Sequence, residues 1–334
     1  MQILKFNFGN YSRLIIFSFL FGVPVYLFTF FILNNYTVAD SSVYSDYWDF
    51  VKSVYSFDDA HNGLPRYINS YDIGYSIIIW FATRLPFSRV EFFSILNAII
   101  VTFSGFYFCK NFSFLPSIYS ILFLGYYFPS LIIAPERLHL SVFLIIISFF
   151  FSSYPIRLSL TVFALLTHTS SFLFLIGIYC YLYFDQLKLV FASFIRGILA
   201  IKFMLGLVVL VLLYFCILVF NPSIPGKILS YSQSFYGLKQ LSSILLLFIA
   251  YYFRIASGPL TLGCASILFV SFAVLGSYID RSLIFLYFLY VIDYLALNKH
   301  NPQQNLVFVF ILLWSAAKSL SFYGNLLNGG GGYG

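Results

Sequence analysis

Residues 134–172 read APERLHLSVFLIIISFFFSSYPIRLSLTVFALLTHTSSF, and the pattern of this stretch decides the fold. Glu136, Arg137 and His139 open an apolar run. Residues 152–157 interrupt it with a short polar segment that holds Pro155 and Arg157. A second apolar run ends at His168, among Thr167, Thr169, Ser170 and Ser171. Two apolar arms around a proline-bearing turn predict a helical hairpin. At about 1.5 Å per residue, arms of roughly ten to fifteen residues reach half to three-quarters of a bilayer core. A hairpin returns its ends to the same side. Arg137 and His168 are therefore expected at similar depth, opposite Arg157, facing one cavity.

Composition sets the solvent. The 334 residues are 61% hydrophobic and only 9% charged, whereas a soluble domain carries about 25% charged residues. Most of the surface is expected to meet lipid, so the useful unit is an apolar span of about 20 residues. The chain predicts an all-α, polytopic helical integral membrane protein of roughly 10–12 transmembrane or re-entrant helices, in one transmembrane domain over 1–334. The 44 Phe and 28 Tyr suit a lipid-facing shell with interfacial aromatics. The net charge of +7 comes from basic residues scattered singly between apolar runs. A nucleic-acid surface would cluster them, so no nucleic-acid partner is expected. Cys109, Cys180, Cys216 and Cys264 lie in apolar runs without metal-ligand spacing, and read as small buried hydrophobes.

Along the chain, 14–33 is a full span, and Lys5 and Arg13 before it direct the preceding segment to the cytoplasm. The polar region at about 34–72 then lies outside. It holds Asp40, Asp46, Asp49, Asp58, Asp59 and Asp72, more than half of the 11 acids. Within it, Asp46-Tyr47-Trp48-Asp49-Phe50 and Val54-Tyr55 place apolar residues at helical spacing. This segment is either a short interfacial helix capped near Ser45 or a solvated loop. The apolar run 76–82 is short, so it is a tilted span or a re-entrant helix. Arg84, Arg89 and Lys110 all favour the cytoplasm, yet one full span, 92–109, separates them. A re-entrant 76–82 leaves Arg84 and Arg89 outside, Lys110 inside, Arg137 outside and Arg157 inside. A second exterior loop is expected at about 221–240.

An ionisable group at membrane depth is costly unless it faces a partner or a wet cavity. That selects Arg137, His168 and Arg281, with Glu136 and Asp280 as neighbours. Two guanidinium forks on one side suit a phosphate or diphosphate. Three plainer arrangements stay open: Arg281 as an interfacial anchor beside Asp280, Arg137 ion-paired with Glu136, and His168 bonded to a helix carbonyl. His61 and His300 are expected in solvated loops. His139 points away from Arg137 on a helix and ranks lower.

The order of these features resembles the EpsG-like family of polytopic polymerases, which includes Wzy-type O-antigen polymerases. The matching elements are an exterior Asp before aromatics (Asp46 to Phe50) and an acid-x-Gly-aromatic (Asp72-Ile73-Gly74-Tyr75). They continue with an Arg opening a helix (Arg137-Leu138-His139-Leu140-Ser141), a His before small polar residues (His168-Thr169-Ser170-Ser171), and Arg281 ahead of Tyr287-Phe288. Leu138 and Ser141 depart from the family's usual Gln and Ala. The resemblance runs from about Asp46 to Leu297. It implies a GT-C-like polymerase/ligase architecture in the bacterial inner membrane. The implied activity transfers a glycan from undecaprenyl diphosphate to the terminal sugar of a lipid-linked repeat unit, with no metal and no cofactor. The implied partners are those lipid-linked oligosaccharides, membrane lipids and a chain-length regulator. His168 or Asp46 would be the base, with Asp72 in reserve. Arg137 and Arg281 would bind the diphosphate, supported by Glu136, Ser141, Asp280 and Tyr287. A flippase for the lipid-linked unit or an O-antigen ligase would need similar arginine chemistry. A flippase is disfavoured because transporters are commonly built from internal repeats, and none is visible here.

Overall fold

The computed structural model of the chain describes residues 15–16, 18–35, 40–111, 136–148, 151, 153–168, 171–182, 185, 263–265, 267, 286–287, 289–290, 293–294 and 302–327. Every regular element among the described residues is helical, and none is a strand. The chain divides into two compact units, one of Met1–His168 with Val309–Gly334, the other of Thr169–Phe308.

In the first unit a π-helical turn, Ser18–Gly22, leads into α1, Val23–Asn35. Together they form the one described stretch, Ser18–Asn35, that is long and apolar enough to cross a membrane. Phe19, Leu20, Leu27 and Phe31 are exposed along it, while Val25, Thr29, Ile32 and Leu33 are buried. The buried stripe packs on α5, Arg89–Asn111. Approach is close at Gly22, where a Cβ would lie 2.5 Å from Thr102 Oγ1.

The polar region at 34–72 is more ordered than a loop. It contains two helices, α2, Asp40–Ser53, and α3, Phe57–Ile68. Helix α2 buries Tyr44, Tyr47, Trp48 and Val51 and exposes Asp46, Asp49 and Lys52. That is the 3.6-residue period of an amphipathic helix. The helix begins at Asp40, so Ser45 lies inside it rather than capping it. Helix α3 starts with a real cap: Ser56 Oγ accepts from the Asp59 amide at 3.0 Å and donates to Asp59 Oδ2 at 2.6 Å. It ends at Asn69, whose left-handed backbone (φ 49°) returns its N–H to the Pro65 carbonyl. His61, expected in a solvated loop, is half-buried on α3 with Nδ1 3.1 Å from Ser76 Oγ.

Helix α4, Ile73–Ala82, has ten residues. Its buried Tyr75 and Ile79 join Tyr47, Trp48, Leu64 and Phe93 in one core. Helix α5 opens with a capping box in which Ser88 N and Oγ both donate to Glu91 Oε2 at 2.8 Å. The predicted hairpin is present as α6, Glu136–Ser148, and α7, Tyr154–Thr167, packed against each other. Ser141 Oγ donates to the Ala164 carbonyl at 2.8 Å and ties the arms together. Arg157 Nη2 donates to the Phe151 carbonyl across the turn.

In the second unit, α8, Ser171–Leu182, carries Gly177, where a Cβ would lie 2.4 Å from Ile267 Cδ1. Small residues of this kind let helices approach closely. The last described helix, α9, is Pro302–Leu327, and its residues from Val309 onward belong to the first unit.

Candidate functional site

The site starts from a cap that does not cap. Asp72 is the N-cap residue of α4, where an aspartate normally accepts an amide from the first turn. Its backbone carbonyl takes the amides of Tyr75 and Ser76 at 3.1 and 3.2 Å, but its side chain makes no cap bond. The carboxylate turns instead to three groups on one oxygen. Oδ2 is ion-paired with Arg137 Nη1, accepts from Ser70 Oγ at 2.7 Å, and lies 3.5 Å from His168 Nδ1. Asp72 and Arg137 are 65 residues apart in the chain, and Asp72 and His168 are 96 apart. Asp72, Arg137 and His168 are all buried.

Each member is delivered by a different element. Arg137 sits in the first turn of α6, and His168 is the C-cap of α7. The hairpin brings these two ends together. Gly74 lets α4 reach them, since a Cβ there would lie 2.7 Å from the Thr167 backbone nitrogen. The His168 backbone N–H bonds the Ala164 carbonyl at 3.0 Å, while its ring serves Asp72. A helix carbonyl thus holds its amide, while Nδ1 of its ring faces Asp72.

A second buried pair lies beside the first. Glu136 is ion-paired with Arg89 Nη1 through Oε1 and accepts from Tyr75 Oη at 2.9 Å through Oε2. Arg89 Nη2 also donates to Ser41 Oγ at 2.9 Å. Arg137 thus pairs with Asp72 and not with the adjacent Glu136. Two tyrosines stand between the pairs, Tyr44 and Tyr75, with ring centroids 5.9 Å apart, edge to face. Tyr44 Oη accepts from Arg137 Nε at 3.3 Å. Tyr75 in turn stacks on Tyr47 at 5.9 Å. Burial pushes the Tyr47 hydroxyl up to about 12, so it stays a donor, to the Ala60 carbonyl and Ser76 Oγ.

The electrostatics follow from pairing. Burial alone pushes the Asp72 carboxyl up. The Arg137 guanidinium, with His168 and Ser70, outweighs it and holds the group well below the usual carboxylate range. A carboxylate so stabilised is a poor base but a good orienting group. Where Nδ1 of His168 donates to it, Nε2 becomes the basic nitrogen of the ring. Two carboxylates and two guanidiniums cancel, so the cluster is charge-balanced with a neutral imidazole.

Arg137, His168, Asp72 and Glu136 thus come together. Ser141 serves the hairpin contact. Asp46 is exposed on α2, two residues and so about 200° from buried Tyr44, and makes no bond to the cluster. Tyr287 is buried in the second unit. Asp280 and Arg281 lie outside the described residues. Sequence reasoning missed Arg89, Ser70, Tyr44 and Tyr75. Arg89 had been expected as an exterior topological charge; instead it is buried and paired. One signal could have found it: a basic residue at the first position of a helix opposes the macrodipole and calls for a carboxylate partner. Also missed was Asp293, buried within an apolar run of the second unit and hydrogen-bonded by Tyr181. Among the described residues no group of three or more His, Cys, Asp or Glu is arranged to hold a metal ion.

Comparison with protein-family models, with curated proteins and with solved structures finds no match for this chain.

Proposed function

We propose that this chain is a multi-pass inner-membrane polysaccharide polymerase. It moves a growing glycan from undecaprenyl diphosphate to the terminal sugar of a lipid-linked repeat unit on the periplasmic face. One observation carries the reading. Three motifs that resemble those of such polymerases, at Asp72, Arg137 and His168, meet at a single carboxylate oxygen. Convergence of distant ionisable groups in an apolar chain is what a reaction centre requires.

The chemistry assigns each residue a role. His168 Nε2 takes the proton from the acceptor hydroxyl as that oxygen bonds the anomeric carbon. The bond from that carbon to the diphosphate oxygen breaks, and the diphosphate leaves with the electron pair. Asp72 does not act as base; it orients the imidazole. Arg137 uses Nε on Tyr44 and Nη1 on Asp72, and its remaining nitrogen, Nη2, addresses the leaving diphosphate. Asp72 already balances its charge, so Arg137 acts as a directed donor more than as a free cation.

The membrane setting has its own support. Ser18–Asn35 is long and apolar enough to cross a bilayer core. Exposed Leu27, Phe31, Leu306 and Leu313 give α1 and α9 apolar outer faces suited to lipid.

The test is complementation of a deletion strain with Arg137→Ala, His168→Ala and Asp72→Asn, with membrane insertion checked by blotting. Each variant is expected to leave one repeat unit on the lipid core and no ladder of longer chains. Wild-type ladders from Arg137→Ala would remove the assignment. A deletion strain with no repeat unit on the core at all would point to a flippase or a ligase.

A further inference from the structure

Arg89 touches neither Asp72 nor His168, yet it is buried one residue's reach from the centre. Its partner Glu136 directly precedes Arg137 in the chain. Two pairings of these four charges are chemically conceivable. In the observed one, Arg89 holds Glu136 and Arg137 holds Asp72. In the other, Glu136 draws on Arg137, and Asp72 loses the cation that keeps it in place. A buried carboxylate without a partner is strongly destabilised, and either takes a proton or competes for a neighbouring cation. The tyrosines fit the observed pairing. Tyr75 donates to Glu136, on the Arg89 side, while Tyr44 accepts from Arg137, on the Asp72 side.

We propose that Arg89 is a positioning residue: by occupying Glu136 in an ion pair of its own, it reserves the Arg137 guanidinium for Asp72 and so keeps the His168 ring oriented. The inference rests on the polymerase reading of the Asp72–Arg137–His168 centre. It also accounts for a cost, because burying a second ion pair stabilises a fold little compared with apolar packing. Ser41 extends the device to α2 by accepting from Arg89 Nη2.

The inference makes a prediction that a mere tether between α5 and α6 does not. Arg89→Gln strands the Glu136 charge, and Glu136→Gln strands the Arg89 charge. Each stranded group competes within the centre, so each single variant is expected to cut long-chain polysaccharide about tenfold or more. The double variant Arg89→Gln/Glu136→Gln has no stranded charge, and is expected to recover long chains. Arg89→Lys keeps the cation and should stay close to wild type. A tether would be lost as fully in the double variant as in the singles.

The assay is the polysaccharide ladder in the deletion strain, normalised to inserted protein, with His168→Ala alongside. Long chains from the double variant and short ones from the singles support the proposal. A double variant as defective as the singles, or a wild-type ladder from Arg89→Gln, overturns it. If either single fails to accumulate in the membrane, the charge-neutral double decides the matter by the same readout. A normal ladder from His168→Ala would instead sink the polymerase reading, and is distinguishable from both.

Discussion

At the scale of single residues, Asp72 shows how a local rule is broken to build a centre. A capping aspartate contributes about 1 kcal/mol to a helix; this one spends its carboxylate on Arg137, Ser70 and His168. Its pKa is depressed in the fold, chiefly because Arg137 overcomes the cost of burial. Its contribution to stability is then complete above the unfolded carboxylate value of about 4 and is lost as pH falls below it. Thermal unfolding of the detergent-solubilised protein should show a stability loss below about pH 4 that Asp72→Asn diminishes. An unchanged acid slope in that variant would contradict the pairing. Arg137 and His168 were legible in the sequence because charged or titratable groups stand out against apolar runs. Arg89 was not, because it follows Pro86 and Ser88 in a polar segment and its partner is 47 residues away. Pairing across such a distance is set by tertiary packing.

At the scale of elements, α4 is the piece that joins α2 and α3 to the hairpin. Its length and apolarity were readable, and the hairpin followed from the polar break around Pro155 and Arg157, although both residues open α7 and do not form the turn. Gly74 was noticed as part of a motif, but its physical reason appears only on packing. A Cβ there would meet the Thr167 backbone nitrogen and Oγ1, both at 2.7 Å, and backbone cannot swing aside. Gly74→Ala should therefore cost about 1–3 kcal/mol. It should also shorten the polysaccharide ladder, since Asp72 rides on the same helix. Wild-type melting and chain length would show that α4 has room to shift. Helix α3 was readable but unread: Ser56 and Asp59 have the spacing of a capping box. The acids around it suggested a loop, because several charges in a short segment mask an apolar stripe of Ala60, Leu64 and Ile68.

At the scale of the whole molecule, composition carries the all-helical class and the polytopic expectation, while the arrangement of helices is beyond it. Periodicity says which face of a helix is apolar, not which neighbour covers it. The proposed topology puts the α2–α3 region outside and the Arg157 end of the hairpin inside. Reporter fusions check this directly. Alkaline phosphatase joined within α3 should be active, and joined at Ser153 inactive. The reverse pattern would place the Asp72 centre on the cytoplasmic side and remove the periplasmic reaction.

The Asp72–Arg137 pair also has a consequence for biogenesis. During synthesis Asp72 leaves the ribosome 65 residues ahead of Arg137, at several residues per second. For those seconds the nascent chain carries an anion on a helix too short to cross the bilayer. In the proposed membrane setting this segment stays in water until the later arms arrive. Under the proposed membrane reading, docking of α4 is thereby made conditional on the translation of the hairpin.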